Sequence, residues 1–307
     1  IQPYVAAPLP LPPHVHRIMI IVFNPTAGMR RASLLWRVLD VLVANGIRIE
    51  LTETHLTGHA EALALEAACG GASMVVAAGG DGTVAEVATG LAGTGAALGI
   101  LPFGTANVLA LELGLPPGPE EAARVIAAGR EAAIWPGIAR GASGERLFVQ
   151  MLGAGLDAAV VHGLPPGLKR VLGKGAYVWQ TLRELARHGF PPLRFSADGG
   201  EWEQASSVIV TKGRLYAGRH LVAPGASPLE AGFTLVVQAG GGRGRAMLAG
   251  AALPLNALHR MPFIELRRCA TVEIEGAGVL TQCDGDCGPP LPLRIADAPG
   301  ALRIRIP

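Results

Sequence analysis

Between residues 17 and 135 short apolar runs alternate with helix-like stretches, and this alternation limits the fold more than any other feature of the chain. Residues 18–23, 47–54, 74–78 and 97–101 read as strands, and 32–44, 60–68, 84–91, 106–113 and 119–128 as helices. Strands spaced by helices imply an α/β domain with a mostly parallel sheet covered on both faces. Ligands of such sheets sit at the carboxyl ends of the strands.

After Pro136 the rhythm changes to runs at 147–152, 206–211, 233–238 and 271–274 between Gly- and Pro-rich turns. That pattern reads as an antiparallel sheet or β-sandwich, with one helical insertion between 167 and 188. A chain of 307 residues, half of them hydrophobic, can bury the cores of about two domains. The expected division is a flexible leader at 1–16, an α/β domain at 17–136 and a sandwich at 137–291.

Three glycine turns follow predicted strands of the first domain: Asn24-Pro25-Thr26-Ala27-Gly28, Gly79-Gly80-Asp81-Gly82-Thr83 and Leu101-Pro102-Phe103-Gly104-Thr105-Ala106-Asn107. On one sheet edge they can converge on one ligand. Glycines let the backbone approach closely, and bare N–H groups at a helix start attract phosphate. The Gly79 turn therefore reads as a nucleotide site. Other phosphate motifs fail, because no G-x-G-x-x-G follows the first strand and Gly173-Lys174 is followed by glycine instead of Ser or Thr.

These turns, with Glu86, Gly153-Ala154-Gly155-Leu156-Asp157-Ala158, the Ala223-Pro224 segment and Asp284-Gly285-Asp286, resemble the diacylglycerol kinase catalytic-domain family. Within it the chain is similar to the bacterial lipid kinases, which are related to sphingosine kinases and NAD kinases. The resemblance implies ATP in a cleft between an α/β domain and a β-sandwich, magnesium as cofactor, and a last strand, about 292–307, returning to the first domain. It implies that Gly79, Gly80, Asp81, Gly82 and Thr83 meet the nucleotide phosphates. Asn24, Thr54, Glu86, Gly104, Thr105 and Asn107 join the same site by that resemblance. Asp286 stands where the family usually has Glu as proton acceptor. Relatives also carry Asp-Gly after Ala-Pro at a structural magnesium site; here Ala231 holds the Asp position, with Glu230 beside it as a metal candidate.

Phosphoryl transfer needs charge neutralisation, in-line positioning and a group to take the proton of the attacking hydroxyl. Asp284 and Asp286 are candidates for the base, and Asp81 for orienting the phosphates or magnesium-bound water. Substituting Asp286 or Asp81 is expected to abolish activity with little effect on unfolding. Blander roles stand beside these. Glu86 lies three residues after Thr83, as in a capping box; Asn24 and Asn107 can tie down turns or cap helices; Asp157 can satisfy backbone donors. His55 and His59 have metal spacing on a helix but no evident third ligand.

A net charge of +2 argues against wholesale nucleic-acid binding. Cys69, Cys269, Cys283 and Cys287 are too few for a disulfide framework and suit a reducing, cytoplasmic setting. No apolar run reaches the ~18–20 residues that cross a bilayer. Between Gly167 and His188, however, five basic residues oppose one acidic residue, and apolar residues recur at helical spacing with Trp179. Such a basic amphipathic helix can lie on an anionic membrane at its inner face, or be a solvated face of a helix packed on the sandwich.

The expected activity is transfer of the γ-phosphoryl group of ATP to a diacylglycerol-like lipid. Alternatives are a sphingoid-base or ceramide kinase, a catalytically silent nucleotide or lipid binder, and an NAD kinase. The oligomeric state stays open, a homodimer included.

Overall fold

A computed structural model describes residues 18–27, 32–164 and 174–307. The leader, Gly28, Lys169 and Arg170 lie outside the described residues, as do the side chains of Lys174, Tyr177 and Val178. The first domain builds β1 (Ile18–Phe23), α1 (Ala32–Ala44), β2 (Arg48–Glu53), α2 (His59–Cys69), β3 (Met74–Gly79) and α3 (Asp81–Leu91). It continues with β4 (Ala97–Pro102), α4 (Val108–Glu112), α5 (Pro119–Ala128) and β5 (Arg130–Ile134). The sheet order is β2-β1-β3-β4, then the chain's last strand Leu302–Ile306, then β5. All neighbours are parallel except β5, which pairs antiparallel with Leu302–Ile306.

The sheet is buried from both sides, and period-2 alternation sorts its residues. Val22, Val75, Ala77, Leu98 and Ile100 pack with α2, α3 and α4 residues on one face. Ile21, Phe23, Val76, Ala78 and Leu101 pack with α1 and α5 on the other. Near-continuous apolar strands are what a two-sided sheet requires.

The second domain stacks two six-stranded antiparallel sheets. Phe148, Leu152, Phe195, Val208, Leu235, Ile274 and Ile295 fill the space between them. The expectation of an α/β domain with a mostly parallel sheet plus an antiparallel β-sandwich holds. Leu293–Asp297 lies inside the sandwich, paired with Val272–Glu275 and Gly137–Gly141, so only Leu302–Ile306 of the expected returning segment joins the first sheet. The two crossings run side by side, with the Ala298 N–H donating to the Pro136 carbonyl at 2.8 Å.

The run expected at 147–152 is two strands, Gly144–Phe148 and Met151–Ala154, broken at Val149 and Gln150. The break has a cause outside the run: the Asp284 carboxylate accepts the amides of Val149, Gln150 and Met151 at 2.7, 2.9 and 2.9 Å. Two helices of this domain lie outside the insertion read from the sequence, Leu156–Gly163 and Arg243–Ala252; within it, the described helix is Lys174–Arg187.

Candidate active site at the domain boundary

The three glycine turns do meet at the carboxyl ends of β1, β3 and β4. Asn24 Nδ2 donates to Thr83 Oγ1 at 3.0 Å, tying the first turn to the second. Its Oδ1 accepts from the Thr26 amide and hydroxyl at 2.9 and 2.8 Å, so Asn24 also shapes its own turn. The second and third turns touch backbone to backbone. A Cβ on Gly104 would stand 2.5 Å from the Gly80 Cα and 2.5 Å from Asn107 Oδ1, closer than any real side chain tolerates. Only glycine permits this approach.

Asp81 joins the same two turns through its side chain. Its Oδ2 accepts the Asn107 amide at 2.9 Å and its Oδ1 the Val108 amide at 2.6 Å. The carboxylate thus caps α4, a five-residue helix whose preceding Asn107 sits at φ 49°. The expectation that Asp81 could be changed without cost to unfolding is corrected by these two bonds. Asp81→Asn should lower the free energy of unfolding by about 1–2 kcal/mol, because one amide then faces an NH₂. Urea titration of the variant beside the parent checks this.

Glu86 does not close a capping box with Thr83, since α3 begins at Asp81 with Gly80 as its cap and Thr83 lies inside the helix. Its Oε2 instead accepts the Ala60 amide at 3.1 Å, capping α2 from outside. Thr54 is buried at the end of β2, its amide donating to the Phe23 carbonyl at 2.8 Å. Thr105 is exposed and, with Asn107, Leu111, Leu115 and Arg219, lines a cleft of about 120 Å³. Arg219 comes from the second domain, on the short hairpin that pairs Leu215–Tyr216 with His220–Leu221. Glu112 anchors that hairpin by accepting from the Leu215 amide and from Arg214 Nε. Burial raises the Glu112 pKa against those bonds.

The second domain brings its acidic turn to the Gly79 turn. Asp286 Oδ2 lies 3.5 Å from where a Cβ on Gly82 would be, at the start of α3. Asp284 is instead taken up by the three amides at 149–151, from a backbone φ of 51°. Removal from water pushes its carboxyl up to about 6; the three amides oppose the shift and the Asp81 charge adds to it. Of the two carboxylates in the turn, Asp286 faces the Gly79 turn and Asp284 holds its own turn in place.

Gln282, which the sequence did not single out, joins this support. Its Oε1 accepts the Gly285 amide at 2.9 Å, while its Nε2 donates to Asp157 Oδ2 at 3.1 Å. Asp157 also accepts the Ala158 amide at 2.8 Å, so it supports the turn from beneath. Burial pushes its carboxyl from 3.8 up to about 6, against the Gln282 and Ala158 bonds. The folded state therefore prefers the protonated acid, and this contribution is full below about pH 4 and lost as pH rises through about 6. The stability of the parent relative to Asp157→Asn should fall by about 1–3 kcal/mol across that interval and stay flat above it. Unfolding titrations at a series of pH values check it.

Glu230 takes no part in this cluster: it is exposed and pairs with Arg268 at 3.0 Å. Beside it Lys212, another residue without a sequence signal, is buried. Its ammonium donates to Asp297 Oδ1 at 2.5 Å and to the Gly232 carbonyl at 2.7 Å, and Asp297 Oδ2 accepts the Gly232 amide at 2.7 Å. Burial lowers the Lys212 pKa and the Asp297 partner opposes that shift. His55 and His59 stack at 5.3 Å, with His59 Nδ1 accepting the His55 amide. No group of three His, Cys, Asp or Glu able to hold a metal occurs among the described residues.

Comparison with known proteins follows the same two-part division. Residues 18–137 match the family model for the diacylglycerol kinase catalytic domain, and 150–306 match that for the YegS C-terminal NAD kinase beta sandwich-like domain. A Pseudomonas aeruginosa protein named "Probable lipid kinase YegS-like" is 31% identical over 278 residues, covering 85% of this chain and 86% of that protein. A Mycobacterium tuberculosis "Diacylglycerol kinase" is 30% identical over 241 residues, covering 77% of this chain and 78% of its own length. The fold is shared with a Bacillus anthracis crystal structure described as a diacylglycerol kinase, at a TM-score of 0.72 and 20% identity over 95% of this chain and 97% of that one. The converging glycine turns and the sandwich that closes over them are thus those of the diacylglycerol kinase catalytic-domain family, to which this chain belongs, and its activity is that of a phosphotransferase with an alcohol group as acceptor.

Proposed function

We propose that the chain transfers the γ-phosphoryl group of ATP to a hydroxyl of a diacylglycerol-like lipid, with Asp286 taking the proton of that hydroxyl. The observation that carries this reading is the Asp286 carboxylate beside Gly82, a base from one domain set against a phosphate-type turn of the other. The N-terminus of α3 presents its first-turn amides and the positive end of the helix dipole to a phosphate chain. Asp286 stands in reach of an acceptor approaching that chain, and closure of the cleft excludes water from the transfer.

Magnesium in kinases rides mainly on the phosphates and needs one or two protein oxygens. Asp81 supplies a carboxylate here, and Asn107 Oδ1 is a buried acceptor with no hydrogen-bond partner, so an oxygen-only donor set suits the ion. Bound there, it would neutralise charge developing on the transferred group. Glu230, held by Arg268 on the surface, serves no such purpose in this reading.

No helix among the described residues is long and apolar enough to cross a membrane. Reaching a bilayer lipid then calls for a peripheral contact, which we assign to the helix Lys174–Arg187 on an anionic inner membrane face. Trp179 and Leu182 are exposed on it, and Arg183 lies 5.4 Å over the Trp179 ring. Radiolabelled γ-phosphate transfer with magnesium into dispersed diacylglycerol, phosphatidylglycerol, monoacylglycerol, sphingosine and ceramide tests the proposal. Label in diacylglycerol is expected. Label confined to sphingosine or ceramide would replace the acceptor, and tight ATP binding without label in any lipid would overturn the kinase reading.

A further inference from the structure

The helix Arg243–Ala252 follows the second-domain strand Phe233–Gln238 and plays no part in the site described above. It buries Ala246 and Ala252, yet Met247 and Leu248 are 62% and 57% exposed, and Leu255 just beyond it is 76% exposed. Small residues face the protein and large apolar ones face water, the reverse of an ordinary surface helix. The charge of its own stretch of sequence is one-sided. Between Glu230 and Glu265 the sequence carries Arg243, Arg245, Arg260 and His259 and no carboxylate.

This helix adjoins Lys174–Arg187. Arg243 Nη2, in its first turn, donates to the Ala186 carbonyl in the last turn of the other helix at 2.9 Å. The neighbour exposes Trp179 at 47% and Leu182 at 63%, three residues apart on one helical face, with Arg183 and Arg187 alongside. Large apolar groups and arginines from two adjoining helices suit a surface that is apolar inside and anionic at its rim.

We infer that the helix Arg243–Ala252 with Leu255 completes, together with Lys174–Arg187, a two-helix surface that docks on an anionic lipid bilayer. This deepens the lipid-kinase reading and rests on it for its biological purpose, though not for its measurement. The surface is also coupled to the catalytic turn. The helix Leu156–Gly163 packs between Lys174–Arg187 and the strand pair of the acidic turn, and His162 Nε2 bonds the Thr281 carbonyl at 2.8 Å. Its first turn carries Asp157, which holds Gln282 and through it Gly285. Docking thus places two packed helices, Lys174–Arg187 and Leu156–Gly163, between the bilayer and the turn that carries Asp286.

Flotation of the full chain with vesicles of phosphatidylcholine, with and without phosphatidylglycerol, tests this, using the double variant Met247→Asp, Leu248→Asp. Both side chains are exposed, and circular dichroism with thermal unfolding confirms that the variant folds. The expected result is binding to the anionic vesicles only, weakened by salt, and reduced roughly tenfold or more in the variant. Phosphoryl transfer to a short-chain acceptor dissolved below its micellar limit should remain equal in parent and variant. Equal vesicle binding by both would overturn the proposal. So would a self-associated parent that the same substitutions turn into a monomer, since the face would then belong to a second copy. A parent that phosphorylates the dissolved acceptor but ignores vesicles would overturn docking and leave the kinase standing. Anionic-vesicle binding lost in the variant, with no lipid phosphorylated, would uphold docking and remove the kinase.

Discussion

Asp286→Ala is expected to lower kcat for phosphoryl transfer by about a hundred- to ten-thousand-fold while leaving unfolding within about 0.5 kcal/mol of the parent. Asp286 is half-buried at the rim of the boundary, its Oδ2 beside the Gly82 position, and no hydrogen bond of the folded chain depends on its carboxylate among the described contacts. Loss of a proton acceptor removes transition-state stabilisation and little else, so KM for ATP should change far less than kcat. Asp286→Glu adds one methylene and should keep part of the activity. Steady-state kinetics of the three proteins decides: a fully active Ala variant would take Asp286 out of the mechanism.

Asp284→Ala should act in the opposite sense, mainly on stability. Three backbone amides at 149–151 lose their acceptor together, and each buried donor left unpaired costs about 1–3 kcal/mol. Alanine must also adopt the φ of 51° that Asp tolerates better. Part of the loss is offset because the buried carboxylate, pushed up to about 6, no longer has to be kept ionised at neutral pH. A net loss of about 3–5 kcal/mol is expected, with activity falling because the turn that carries Asp286 loosens. Asp284→Asn keeps one acceptor oxygen for Gln150 and Met151 and should lose roughly half as much. Chemical denaturation of both variants measures this; unchanged stability in the Ala variant would contradict the assignment of Asp284 as the anchor of the turn.

The contrast between these neighbours shows where sequence reasoning stops. Both aspartates lie in one three-residue motif, and residue chemistry alone offers either as the base; only the family resemblance favours Asp286. Nothing local separates them, because the amides that occupy Asp284 belong to residues more than a hundred positions earlier. The same holds for Asp81, whose partners are 26 and 27 residues away, and for Glu86, which caps a helix that precedes it. Strand and helix positions in the first domain were legible because a sheet buried on both faces leaves continuous apolar runs. Convergence of the glycine turns was legible as well, since parallel topology puts all three on one edge. The break at Val149 and Gln150, the bridging role of Gln282 and the buried Lys212–Asp297 pair were not, because each is set by a partner distant in sequence. The helix Arg243–Ala252 escaped notice for a different reason: alanines and glycines dilute its periodicity, so its buried stripe is small residues that carry little hydropathy.

In the proposed reaction the phosphoryl group passes directly from a phosphate chain on the Gly79 turn to a lipid hydroxyl deprotonated by Asp286, with no phosphorylated side chain between them. ATP made chiral at its γ-phosphorus with oxygen isotopes tests this most directly, by the configuration of the phosphoryl group recovered on the lipid. A single in-line displacement predicts inversion. Retention would mean two displacements through an enzyme-bound phosphoryl group, and no transfer to any lipid would remove the kinase reading itself.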